Sequence, residues 1–312
     1  MRKACLNMVY ELAKQDERVV FIGSDLGPDV LADMKKAMPD RFYMEGVSEQ
    51  NIIGMAAGLA MEGYIPYVNT IATFITRRCY EQLAVDLCLH DLPVRLIGNG
   101  GGLVYAPLGP THLATEDMAI MRALPNMAIV SPADANEMTR FMNASLAWPH
   151  PIYIRLGKGG DPVITGDQNG FEIGKAVPLR DGTDIRILSS GVMSGRALAA
   201  AEMLADKGIS AAVIHMPTVK PLDEAAVLAA ASSKMLVTLE EHFKTGGFGS
   251  AVTEVLTDAN CLPELGILRI GLEDSFPMAY GSQDELMEKF GLQPPTITKT
   301  ICNALQERSR DA

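Results

Sequence analysis

Glu49 is the first residue of this chain that calls for a chemical explanation. It follows Ser48, a good helix N-cap, and precedes polar Asn51 and the apolar run Ile52-Ile53-Gly54-Met55-Ala56-Ala57-Gly58-Leu59-Ala60-Met61. A helix with no polar face is buried in a core or against a second chain. Gly54 and Gly58 are four apart, share one face and allow another backbone to approach. A carboxylate in the first turn of such a helix is costly unless it has a partner or a task. Two further segments carry binding and proton-handling types. One is Asn69-Thr70-Ile71-Ala72-Thr73-Phe74, followed by Arg77, Arg78 and Tyr80-Glu81-Gln82. The other is Gly109-Pro110-Thr111-His112, followed by Glu116-Asp117 and Leu124-Pro125-Asn126-Met127. An imidazole can donate to a developing alkoxide or shuttle its proton. A guanidinium such as that of Arg155 suits a two-pronged contact with phosphate or carboxylate. Glu240-Glu241-His242 is a further run of acids and imidazole, at the end of a predicted strand.

These residues need a scaffold, and the apolar pattern supplies one. Cys5, Met8, Val9 and Leu12 recur at helical spacing. Short apolar or β-rich runs follow at 19–22, 42–44, 65–68, 94–97, 127–130 and 152–154, with helical patterns between most of them. Strands alternating with helices indicate a mostly parallel sheet covered on both faces. A glycine-rich polar stretch from Gly157 to about Gly174 reads as a linker. A second alternation follows, with strands expected at 185–188, 211–215, 235–239 and 267–270. Helices are expected at 195–207, 223–231, 250–258, 283–290 and 298–307. The expected architecture is α/β, two doubly wound domains, 1–165 and 166–312.

Bulk properties narrow the function classes. The chain has 312 residues, enough for about two domains. A net charge of -11 argues against nucleic acid or an anionic membrane as main partner. No apolar run approaches the roughly 20 residues of a membrane span. Met1-Arg2-Lys3-Ala4-Cys5 leads into a helical pattern without a signal-peptide core. The cysteines at 5, 79, 88, 261 and 302 are odd in number and lack metal-ligand spacing. Reduced thiols in a cytoplasm are the expectation.

In this order and spacing the three segments around Glu49, Phe74 and His112 resemble the pyrimidine-binding half of transketolase. The wider relatives are 1-deoxyxylulose-5-phosphate synthase and the beta subunits of 2-oxoacid dehydrogenases. The resemblance extends through Tyr153-Ile154-Arg155 to Glu240-Glu241-His242-Phe243, Gly246-Gly247 and Gly249. It implies a thiamine-diphosphate-binding pyrimidine domain followed by a transketolase C-terminal-like domain. Glu49 then matches the glutamate that bonds a pyrimidine ring nitrogen and favours the imino tautomer. Phe74 matches the aromatic residue that stacks on the pyrimidine. Ile71 and Arg77 stand where the family often has further aromatics. His112 matches the histidine beside the reacting carbonyl, and Arg155 an arginine that binds the substrate's terminal anion. The 240–243 region is expected at a subunit interface.

Three matching positions depart from the sugar-phosphate enzymes. Leu108 replaces an aspartate that reads a sugar hydroxyl, and Gly100 a substrate-contacting histidine. Asp29, after Leu26-Gly27-Pro28, replaces a phosphate-binding serine. A less common donor or acceptor is therefore expected. The family holds its diphosphate through a divalent ion, Mg2+ or Ca2+, on a Gly-Asp-Gly motif with a later Asn. No Gly-Asp-Gly occurs here; Gly166-Asp167-Gln168 lacks the third glycine. The expectation is a split transketolase, moving a two-carbon ketol unit. An N-terminal partner subunit would carry the diphosphate and metal domain, and two copies of each chain would form a 2:2 complex. Alternatives are 1-deoxyxylulose-5-phosphate synthase-like or 2-oxoacid decarboxylating chemistry, favoured by Leu108, and a non-catalytic scaffold or regulatory partner, disfavoured by Glu49, Phe74 and His112.

Overall fold

A computed structural model describes residues 1–25 and 28–311. The first half carries strands β1 (Val19–Gly23), β2 (Phe42–Met44), β3 (Ile65–Ile71), β4 (Arg95–Asn99), β5 (Ala128–Val130) and β6 (Ile152–Leu156). The second carries β7 (Val177–Arg180), β8 (Ile185–Ser189), β9 (Ala211–His215), β10 (Thr218–Lys220), β11 (Met235–Phe243) and β12 (Ile267–Leu272). The helices of the first half are α1 (Arg2–Gln15), α2 (Ala32–Ala37), α3 (Glu49–Met61), α4 (Ala72–Thr76), α5 (Tyr80–Gln82), α6 (Asp117–Arg122) and α7 (Ala135–Ser145). Those of the second are α8 (Met193–Ala205), α9 (Glu224–Ala230), α10 (Phe248–Asp258), α11 (Gln283–Lys289) and α12 (Pro294–Asp311).

Two sheets result, a seven-stranded one in the order β10-β5-β6-β4-β3-β1-β2 and a five-stranded one in the order β12-β11-β8-β9-β7. Apart from the edge strands β10 and β7, all pairings are parallel. Central strands such as β3 and β4 are buried along their whole length, polar Asn69, Thr70, Arg95 and Asn99 included, as a parallel sheet with helices on both faces requires.

The sequence pattern leaves out two strands. β7 contains Pro178, which cannot donate to a ladder, and it pairs antiparallel at the sheet edge. β10 has three residues, too few for a period-two signal, and pairs antiparallel with β5 in the other half's sheet. The second half thus completes the first sheet. The join is apolar as well, since Met118, Met121 and Ile129 share one buried cluster with Met216, Val219, Phe248 and Val252. The glycine-rich segment after β6 has only a short 3-10 turn, Asp167–Asn169, before β7.

α3 is not buried all round. Glu49, Ile52, Ile53, Ala56, Ala57 and Ala60 face the core, while Gly54, Gly58 and Met61 are exposed. Among the described residues, and apart from the helix's own backbone, no atom lies within 4 Å of a Cβ built on Gly54 or Gly58. Ser48 does not cap the helix through its side chain; its hydroxyl donates to the Glu45 carbonyl at 2.9 Å. No described helix is long and apolar enough to cross a membrane.

Candidate active site

The candidate residues gather where the parallel strands of the first sheet end, as ligand sites of open α/β sheets do. Asn99 and Gly100 close β4. Glu49 starts the helix after β2, and Ile71 ends β3 and leads directly into α4, which carries Phe74. The long loop after β4 brings His112.

Arg78 links these residues. Its Nη1 donates to Glu49 Oε2 at 2.8 Å, and its guanidinium carbon lies 4.0 Å above the Phe74 ring centroid. Phe74 in turn meets the His112 ring edge-on, with centroids 5.2 Å apart and planes at 64°. The His112 Nδ1 is 2.9 Å from the Thr111 hydroxyl. Glu49, Arg78, Phe74 and His112 therefore form one contiguous row. Ile71 is buried at its base. Arg77 turns the other way, pairing with Glu116 at 3.0 Å and bonding Thr73. A salt bridge thus stands where the family often has an aromatic rim.

A second group surrounds a small cleft of about 140 Å³ lined by Arg2, Asn99, Gly100, Tyr105, Leu108 and Lys158, among others. Gly100 has φ +78°, and a Cβ there would lie 2.2 Å from the Tyr105 ring. The position has no room for an imidazole, because tyrosine fills it. Leu108 ends a 3-10 turn and is half exposed. Asn99 is fully buried; its Nδ2 donates to Asn69 Oδ1 at 2.7 Å and to the Thr70 carbonyl at 2.9 Å, while its Oδ1 has no hydrogen-bond partner among the described residues. Asp29 is exposed on the 3-10 turn Pro28–Leu31, and Leu26 and Gly27 lie outside the described residues.

Arg155 does not face an open substrate site. It is buried between the two halves, its Nε on Asp117 Oδ2 at 2.8 Å and its Nη2 on the carbonyls of Glu241 at 2.9 Å and Ala114 at 3.3 Å. Burial alone would lower its pKa, but Asp117 and Glu241 raise it above the ordinary value. Tyr153 also donates to Asp117, at 2.7 Å. Glu240-Glu241-His242 belongs to this same seam, with all three side chains buried inside the chain. Glu240 accepts from the Phe248 and Gly249 amides at 2.7 and 2.9 Å. Glu241 accepts from the Leu103 amide at 2.7 Å and from Gln283 at 2.9 Å. His242 accepts from the Ala119 amide through Nε2 at 3.3 Å, so its Nδ1 carries the proton donated to the Phe243 carbonyl at 2.6 Å. Burial pushes Glu240 up to about 8 and Glu241 up to about 7, and pulls His242 down to about 4.

Arg2, Asn99, Tyr105, Asp117 and Lys158 have no role that their sequence context reveals. Arg78 is visible beside Phe74, but an adjacent pair of arginines gives no sign that one reaches back to Glu49 and the other to Glu116. The cysteines are free; burial pushes Cys5, Cys79 and Cys88 up to about 12, which makes them poor nucleophiles. His215 is buried between Glu137 and Ser194 at 2.8 and 2.7 Å, and His150 pairs with Asp91 at 2.8 Å. Among the described residues no group of three or more His, Cys, Asp or Glu is placed to hold a metal ion.

Residues 1–160 match the family described as transketolase, pyrimidine binding domain, and residues 174–297 match the transketolase C-terminal domain. The chain is 37% identical over 311 residues to a 6-deoxy-6-sulfo-D-fructose transketolase chain of a Clostridium species, covering 99% of this chain and 95% of that one. It is 36% identical over 302 residues to one of the chains of the apulose-4-phosphate transketolase of Phocaeicola vulgatus, covering 96% and 95%. A solved split-gene transketolase, described as an inactive beta4 tetramer, superposes with a TM-score of 0.89 at 35% identity over 98% of both chains. The chain belongs to the transketolase family.

Proposed function

We propose that this chain is the catalytic half of a split, thiamine-diphosphate-dependent transketolase. It would transfer a two-carbon ketol unit from a ketose to an aldehyde acceptor. The observation that carries this reading is the row Glu49–Arg78–Phe74–His112 at the strand ends. The residues fit the cofactor's pyrimidine side, with a buried carboxylate to meet a ring nitrogen and a half-buried aromatic face to stack on. When bound, thiamine diphosphate supplies an electron sink at its thiazolium carbon. Glu49 would share a proton with a pyrimidine ring nitrogen, giving it up as the imino tautomer forms and taking it back afterwards. Phe74 would fix the ring plane, worth on the order of 1 kcal/mol beyond burial. His112, at the far edge of Phe74, would donate to the substrate oxygen where negative charge develops.

The diphosphate and its Mg2+ or Ca2+ would be held mainly by a partner subunit, a reading supported by the split-gene neighbour. The open face of α3, with Gly54, Gly58 and Met61, is continuous in character with exposed Val85 and Leu89 and would receive a second copy of this chain. The assembly would be 2:2.

For substrate, the cleft beside Gly100 and Leu108 replaces the usual anchors. Leu108 offers no acceptor to a sugar hydroxyl, and Arg155 is spent on Asp117. Arg2 and Lys158 line the cleft instead and would meet a terminal phosphate or sulfonate. The relatives named for apulose 4-phosphate and 6-deoxy-6-sulfo-D-fructose support a less common sugar. A donor panel on the reconstituted complex tests this. Some other ketose should match or exceed xylulose 5-phosphate in kcat/KM, and Leu108→Asp should shift preference back toward it. A hundredfold preference for xylulose 5-phosphate, about 2.7 kcal/mol, would contradict the substrate reading.

A further inference from the structure

Arg78 makes the two contacts that a pyrimidine ring needs. It bonds the buried Glu49 carboxylate at 2.8 Å and sits over the Phe74 ring with its central carbon 4.0 Å from the ring centroid. A guanidinium is planar and delocalised, stacks on aromatic faces and donates to carboxylates. It therefore presents the chemistry of a flat nitrogen heterocycle with an N–H edge. The two partners differ in freedom. The Glu49 side chain is 3% exposed and that of Arg78 is 42% exposed. The acid is enclosed by the protein, and nearly half of the cation's side chain is exposed. A buried carboxylate left without counter-charge or hydrogen bond is strongly destabilising, so the empty slot needs a cation that the filled slot does not. Arg77, one residue earlier, is held by Glu116 and Thr73 and is not available for this.

We propose that Arg78 is a placeholder for the cofactor's pyrimidine. It neutralises Glu49 and covers Phe74 while the slot is empty, and swings toward solvent when the ring arrives. The inference rests on Glu49 and Phe74 being the pyrimidine contacts. Its consequence is that the chain resists its own cofactor. Affinity is lowered by the work of displacing Arg78, and the buried acid is never left bare.

The test is calorimetric titration with thiamine diphosphate and magnesium, plus thermal melting with and without them, on the complex with the partner subunit. Arg78→Ala should lower the melting temperature of the cofactor-free complex but not of the loaded one. It should also tighten thiamine diphosphate about tenfold, or ~1.4 kcal/mol. Arg78→Lys keeps the charge and loses the flat surface, so its affinity should fall between the two. If Arg78→Ala does not fold, Arg78→Lys decides alone: tighter binding than wild type supports the placeholder, and equal or weaker binding overturns it. Equal or weaker binding by folded Arg78→Ala overturns it as well. Glu49→Gln, made in and compared with the Arg78→Ala background so that no guanidinium has to be displaced, separates the two ways of failing. If Glu49→Gln weakens binding while Arg78→Ala does not tighten it, only the placeholder falls. If Glu49→Gln leaves affinity unchanged, the assignment of the slot falls and takes the placeholder with it.

Discussion

The slot around Glu49 and the seam around Arg155 both gather ionisable side chains, and they handle them in opposite ways. In the seam both members of the central pair are inside, with Arg155 and Asp117 side chains 7% and 0% exposed. The donors of Arg155 are further spent on backbone carbonyls, and both Glu240 and Glu241 accept backbone amides. In the slot the buried acid faces a cation that is nearly half exposed and held by one hydrogen bond and one ring face. A pair enclosed on both sides works as architecture. An enclosed acid beside a half-exposed cation fits the proposed site. Damage to the seam should therefore appear first in stability, and damage to the slot first in chemistry.

The largest separation is expected from His112 and Arg155. His112→Ala should lower kcat by about 10²–10³-fold if the imidazole donates to developing charge. Its stability should stay within about 1 kcal/mol of wild type, because the ring is only partly buried. Arg155→Met should do the reverse. It leaves buried Asp117 without its cation, a loss of roughly 3–5 kcal/mol in urea unfolding. Equal stability losses in both variants would erase the distinction between slot and seam.

A smaller effect comes from pH. Burial raises Glu240 from 4.5 to about 8 and Glu241 from 4.5 to about 7. The folded chain then holds protons that the unfolded chain has released, so these groups make stability fall as pH rises through that window. His242, lowered by burial from 6.5 to about 4, acts in the opposite direction between those values, where the unfolded chain binds the extra proton. Above pH 6.5 only the carboxyls remain. The melting temperature of wild type should decline from about pH 6.5 to about 8, and the slope should flatten in Glu240→Gln/Glu241→Gln. The same slope in both proteins would mean that these acids do not titrate there.

Most of the scaffold is legible in the sequence, because short apolar segments mark most central strands and helical patterns lie between most of them. β7 and β10 escaped it because a proline and a three-residue length remove the periodic signal. For the slot, residue types were legible and pairing was not. Glu49 stood out as an acid on an apolar helix, but nothing in Arg77-Arg78 tells which arginine reaches it. The seam was legible only as a conspicuous run, Glu240-Glu241-His242. Its task depends on amides of Leu103, Ala119, Phe248 and Gly249, which no side-chain pattern encodes. Gly100 shows the same limit, since its meaning lies in Tyr105, five residues later, whose ring occupies the vacated volume.

The central claim is that Glu49 is the acid that works on the cofactor's pyrimidine, and proton exchange at the thiazolium carbon tests it most directly. The complex of this chain with its partner subunit, loaded with thiamine diphosphate and magnesium, is placed in deuterated buffer and exchange is followed by quenched-flow NMR. Wild type should exchange at least about 10²-fold faster than Glu49→Gln, the lower end of what a positioned proton carrier contributes, with both complexes assembled to the same mass. Equal exchange rates in two fully assembled, fully loaded complexes would contradict the account.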